Sequence, residues 1–159
     1  MMKPYPILIT IIVFSGLLAC AGTQVERAGM KTDTMQIIPQ RLADIAGIKW
    51  HLQKMKTGKR TVTLIKDTEN TFSCDENGRV AGVATINRYF GSFSLREDGE
   101  IIWNKAFGMT RMAGPSNLMQ QEAQFMQALP LTSRIYLKMG TLVLISSDQS
   151  TLLEFEKRE

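Results

Sequence analysis

The chain reads as an α+β domain, a strongly curved antiparallel sheet of open-barrel type that carries one packed amphipathic helix. Three observations predict this. Short runs of alternating apolar residues recur from Ile48 to the C-terminus. Turn signals such as Asn77-Gly78, Asp98-Gly99 and Met139-Gly140 separate them. One segment, Leu118 to Leu129, follows helical spacing instead. A single helix laid on a curled sheet is the economical way to bury both apolar faces.

Taken in order, the chain opens with Lys3, its only charge before Glu26, and the apolar run Ile7 to Leu18. Those twelve residues are too few to cross a hydrocarbon core, which needs roughly 20 helical residues. They fit the apolar region of a secretory signal. Leu17-Leu18-Ala19-Cys20 looks like the processing box of a bacterial lipoprotein, so residues 1–19 are expected to be a signal peptide and Cys20 the site of lipidation. One acyl chain binds a membrane marginally, and stable anchoring takes about two such signals. The three chains of a lipoprotein would hold the protein on a bilayer. Ala21 is not the aspartate that retains such proteins at the inner membrane, which favours the outer membrane, facing the periplasm. Residues 20–41 are expected to be the lipidated cysteine and a surface tether, and residues 42–159 the domain, with a helical turn near Arg41 to Ala46.

Ile48, Trp50 and Leu52 alternate with polar neighbours and begin the first strand. A basic loop, Lys54 to Arg60, leads to a second strand at Val62 and Leu64 and a third around Phe72. Asn77-Gly78 turns the chain into Val80 to Ile86, both turn residues being expected at positive φ. Tyr89 to Leu95 sets Tyr89, Gly91, Phe93 and Leu95 against Phe90, Ser92 and Ser94. Asp98-Gly99 leads into Ile101 to Trp103. Ser116 is the expected N-cap of the helix, whose apolar positions are Leu118, Phe125 and Leu129, with Met119 and Met126 beside them. Pro130 ends it. Ile135–Leu137, Leu142–Ile145 and Leu152–Phe155 complete the sheet.

Composition narrows function. A net charge of +4 over 159 residues is too weak and dispersed to argue for nucleic-acid binding. With Cys20 lipidated, Cys74 has no partner in its own chain; its alternation with Phe72 predicts a buried small hydrophobe. His51 is the single histidine and is expected on the solvent side of its strand. Clusters of His and Cys that would hold a metal are absent. Asp75, Glu76 and Asn77 lack calcium-loop spacing, and Gly58-Lys59 lacks the flanks of a phosphate loop. No catalytic residue, cofactor or metal is therefore expected, and the protein is not expected to be an enzyme. Met109, Met112, Met119, Met126 and Met139 cluster in the second half, as core filler or as a plastic apolar groove.

Gly82 to Phe93, with Asn87 at its centre, is similar to the glycine-rich strand pair of the META domain, the HslJ-like family of bacterial envelope proteins. Thr110-Arg111-Met112-Ala113-Gly114-Pro115 resembles that family's Thr-Arg-Met-Ala-Cys signature. Met119, Glu122, Phe125 and Leu129 match its helix, and Trp50 and Leu52 its opening strand. The resemblance spans about residues 42–156. Relatives often carry cysteines where this chain has Ile86 and Gly114, so any bridge between them is missing here. Many relatives are exported or lipidated, and the resemblance implies no enzymatic activity.

Asn87, Arg88, Tyr89, Thr110 and Arg111 are the candidate site. They either form a small polar binding cluster at one end of the sheet or serve structure, with Asn87 bonding backbone and Arg111 pairing with Glu122 or capping carbonyls. Two functions remain open. One is an accessory or stress-response lipoprotein that contacts other envelope components. The other is a module enclosing an apolar or lipid ligand between sheet and helix.

Overall fold

The computed structural model describes residues 34–104 and 107–158; Cys20 and the expected leader lie outside them. Among the described residues, eleven antiparallel strands form one curled, open sheet, crossed by a single α-helix. The strands are β1 (Thr34–Gln36), β2 (Trp50–Thr57), β3 (Arg60–Val62), β4 (Glu69–Cys74), β5 (Arg79–Thr85), β6 (Asn87–Leu95), β7 (Ile101–Trp103), β8 (Gly108–Met109), β9 (Arg134–Lys138), β10 (Thr141–Ile145) and β11 (Thr151–Lys157). The helix, α1, spans Ser116–Ala128. The strand order is β1-β9-β10-β11-β2-β4-β5-β6-β7, with β3 added beside β2 and β8 beside β6.

The sheet curls where β2 changes partners. Its first residues, Trp50 and His51, pair with β4, while Met55 to Thr57 pair with β3. On its other edge, Glu154 opposes Lys54 but Phe155 opposes Leu52, so Gln53 is an extra residue and the strand bends there. The curl brings the two ends of the sheet together without closing it. The Ile101 N–H donates to the Ser133 carbonyl (2.8 Å), and Gln36 Nε2 donates to the Asp98 carbonyl (2.7 Å).

Two expectations about the ends of elements change. Thr34–Gln36, placed in the tether by sequence, pairs with β9, and Ile37 beside it is completely buried. Three residues carry too little alternation to announce a strand. The helical turn is a 3-10 turn at Pro39–Asp44, two residues earlier than expected, with proline at its start.

The turns follow glycine. Gly78, Gly99 and Gly140 all take positive φ. Asn77 does not. Instead Asp75 Oδ1 accepts from the N–H groups of Asn77 and Arg79, and Gly78 alone supplies the left-handed residue. Those two bonds also show Asp75 committed to its turn. The basic loop is the turn of a hairpin: Lys54 and Lys56 lie in β2 and Arg60 in β3, around Gly58 and Lys59.

Ser116 does not cap α1. Pro115 holds the N-cap position in an extended conformation with no side-chain bond, and Ser116 is the first helical residue. Beyond Ala128 the chain tightens into a 3-10 turn, Leu129–Leu131, containing Pro130. The helix packs Phe125 and Ala128 into the core, and the turn after it adds Leu129; Leu118 is half-buried and Met119 exposed. Seven rings form a continuous chain inside the curl: Phe72, Phe155, Phe125, Tyr89, Phe107, Trp103 and Phe93, with successive centroids 5.3–6.4 Å apart. Each such contact contributes about 0.5–1.5 kcal/mol beyond the area it buries.

Candidate functional site

The inner face of α1 also carries two polar residues, Gln121 and Glu122, both buried. Such groups must find partners. Glu122 aims its carboxylate at the tight connection between β5 and β6. Its Oε2 accepts from the N–H groups of Ile86 (3.2 Å) and Asn87 (2.7 Å), and its Oε1 from Asn87 Nδ2 (2.9 Å). Gln121 Nε2 donates to Thr85 Oγ1 (3.1 Å), which itself donates to Asn70 Oδ1 (2.8 Å). Thr85 needs this support. It is β-branched and sits at φ 64°, a conformation costing about 1–3 kcal/mol that persists only where surroundings impose it.

Asn87 passes the clamp onward. Its Oδ1 accepts from Thr110 Oγ1 (2.8 Å) and the Met112 N–H (2.7 Å), and its Nδ2 also donates to the Met112 carbonyl (3.1 Å). Thr110 Oγ1 accepts from the Arg88 N–H (3.0 Å). One buried asparagine thus ties the helix, the β5–β6 connection and the segment leading from β8 into α1 into one network.

The five residues singled out by sequence therefore divide. Asn87 and Thr110 meet. Tyr89, one pleat further on, points into the core, where its hydroxyl donates to the Thr71 carbonyl (2.8 Å) and burial pushes its pKa up. Arg88 joins the network through its backbone only and turns its side chain to the outer face. Arg111 is exposed at the rim of a shallow cleft; Glu122 bonds Asn87 and two amides, and no Arg111–Glu122 ion pair is found among the described residues. Sequence reasoning missed Thr85, Gln121 and Asn70, because an isolated polar residue on a strand or helix reads as solvated.

Two concave surfaces flank the network. The first is that cleft of about 290 Å³ over the Asn87–Glu122 pair, lined by Met109, Thr110, Arg111, Met112, Ala113 and Met119. The second is an open groove of about 740 Å³ on the outer face of β4, β5 and β6. Small residues floor it, namely Ser73, Ala81, Gly82 and Val83; Lys49, Arg79, Arg88 and Phe90 stand around it. Phe90 is 61 % exposed. Lys49 pairs with Glu69, while Arg79 and Arg88 form no ion pair among the described residues.

The titratable groups do not converge. His51 and Cys74 lie on opposite faces of the sheet. The His51 ring is 15 % exposed, more shielded than expected, and 4.0 Å from Glu69. Burial lowers its pKa, Arg158 and Lys49 lower it further, and Glu69 opposes them. Cys74 is buried as expected, and burial pushes its thiol up to about 12, where it is a poor nucleophile. No three His, Cys, Asp or Glu residues gather as metal ligands among the described residues.

Comparison with known proteins gives a consistent picture. The META domain family matches residues 43–159. A protein from Burkholderia xenovorans solved by NMR has a similar fold, with a TM-score of 0.61 and 22 % identity over 76 % of this chain and 88 % of that one. A second NMR structure has a TM-score of 0.52 and 19 % identity over 76 % of this chain and 95 % of that one. No curated protein matches the chain. The match over most of its length, on the fold just described, establishes that the chain belongs to the META domain family.

Proposed function

We propose that this is a lipid-anchored lipoprotein of the bacterial outer membrane, held through Cys20 and facing the periplasm. It acts without enzymatic chemistry, as an accessory or stress-response protein that contacts other envelope components. The Leu17-Leu18-Ala19-Cys20 box supports the anchor. The space between sheet and helix is taken up by Tyr89, Phe125 and Phe155, which favours surface contact over an enclosed lipid ligand. The observation that carries the contact reading is the outer groove, where the exposed Phe90 ring and Arg88, which forms no ion pair among the described residues, stand over a floor of small residues. Aromatic and arginine side chains are the groups that dominate contact energetics.

A photo-activatable residue at position 90, tested in cells, checks this reading. A discrete cross-linked envelope component is expected, and it should be lost in a Cys20→Ser variant that stays an unprocessed precursor. A cleaved, membrane-bound Cys20→Ser protein would overturn the anchor. Native mass spectrometry after incubation with envelope lipids separates the two functions: a retained lipid mass on an uncross-linked protein would support the enclosing module instead.

A further inference from the structure

Three of the ten methionines, Met109, Met112 and Met119, line the same cleft over Asn87. Core filling accounts in part for Met109, which is half-buried against the core, but not for Met112 and Met119, which are 54 % and 43 % exposed. Each comes from a separately fixed segment. Met109 lies in β8, opposite Tyr89. Met112 is gripped at both its N–H and its carbonyl by the Asn87 side chain. Met119 sits in the first turn of α1, its N–H bonded to the Pro115 carbonyl (3.0 Å). The backbone that carries these side chains is thus set in advance, as an ion site requires.

We infer that this cleft binds a soft monovalent cation, Cu(I) or its closed-shell counterpart Ag(I), through the thioether sulfurs of Met109, Met112 and Met119. Thioethers favour such ions and are poor ligands for magnesium, calcium or manganese. Glu122, the one carboxylate lining the cleft, already spends both oxygens on N–H bonds, so it is committed to the fold and not set out as a ligand for a hard cation. Arg111 at the rim adds positive charge that disfavours a divalent ion more than a monovalent one. Cys74 does not compete, being buried and held protonated. Binding is simple coordination and changes no oxidation state.

The test is a titration of the full chain in mild detergent with Ag(I), and with Cu(I) under ascorbate against a chromogenic Cu(I) chelator. Methionine methyl groups are labelled with carbon-13 and followed by NMR. The methyl signals of Met109, Met112 and Met119 should shift together and saturate at one equivalent. Leucine at any one of these positions should weaken binding by roughly tenfold or more, while Met139→Leu leaves it unchanged. Far-UV circular dichroism and thermal midpoints establish that each variant is folded. Shifts scattered over other methionines, uptake only on cysteine, or equal affinity in the folded triple leucine variant would each overturn the inference.

Discussion

At residue 85 a β-branched side chain occupies backbone space that normally belongs to glycine, and two helix residues hold it there. The balance can be measured. Thr85→Ala keeps the unfavourable φ and loses the bonds to Asn70 and Gln121, so it should destabilise by about 2–3 kcal/mol. Thr85→Gly loses the same bonds but relieves the strain, and should be less harmful by about 1 kcal/mol. Urea unfolding of the two variants gives the difference directly; equal losses would show that position 85 stores no strain. Glu122→Gln tests the other half of the clamp. The amide nitrogen must face either Asn87 Nδ2 or the backbone N–H groups, donor against donor, so a loss of roughly 2–3 kcal/mol is expected in the same assay. Asn87 was legible in the sequence because asparagine amid glycines and strand residues implies local hydrogen bonding. Glu122 and Gln121 were not legible as clamps, since glutamine and glutamate on a helix normally face water.

Among elements, the short connection between β5 and β6 lies against the segment leading into α1. A Cβ placed on Gly114 would sit 2.5 Å from Ile86 Cδ1 and 3.4 Å from its Cγ1, and Gly114 does not require positive φ. The two positions where relatives often carry cysteines are therefore neighbours here, an inference the sequence alone left to resemblance. The double substitution Ile86→Cys with Gly114→Cys should form a bridge on mild oxidation. Its oxidised form should exceed its own reduced form by about 3 kcal/mol in urea unfolding. Failure of the thiols to disappear on oxidation would mean that the two segments are set differently. Helix and hairpins were visible in the pattern because periodicity and glycine act locally. The partners of β2 were not, because the extra residue Gln53 and the switch from β4 to β3 depend on contacts distant in sequence.

Over the whole molecule, stability is bounded on both sides in pH. Asp148, bonded by the Ser146 hydroxyl and the Ser150 N–H, is lowered to about 2. Asp75 and Asp98 are lowered by the backbone amides of Arg79 and Glu100. Each depressed carboxylate stabilises the fold above its unfolded value and loses that effect as pH falls through the folded one. His51, also lowered, adds a loss as pH drops below 6.5, because the unfolded chain takes up the proton first. At the other end, Cys74 is raised from 9.0 to about 12, so its contribution is complete below pH 9 and declines as pH rises towards 12. Urea midpoints should therefore be highest between about pH 7 and 9. The fall between pH 9 and 10 should disappear in Cys74→Ala; an unchanged fall would assign it elsewhere. Burial of Cys74 was legible from its alternation with Phe72, but the size of its shift depends on the assembled core.

The opening strand has a consequence for where the chain can be cut. β1 covers the free edge of β9 with three paired residues, and Ile37 follows it into the core. A chain trimmed to the family boundary at residue 43 would uncover that edge and leave a vacancy beneath it. Bare strand edges recruit one another. The trimmed chain should self-associate in light scattering at concentrations where a chain starting at Lys31 stays monomeric. Residues 34–37 thus act as a guard against sticking, a role that no count of core residues would assign to so short a segment.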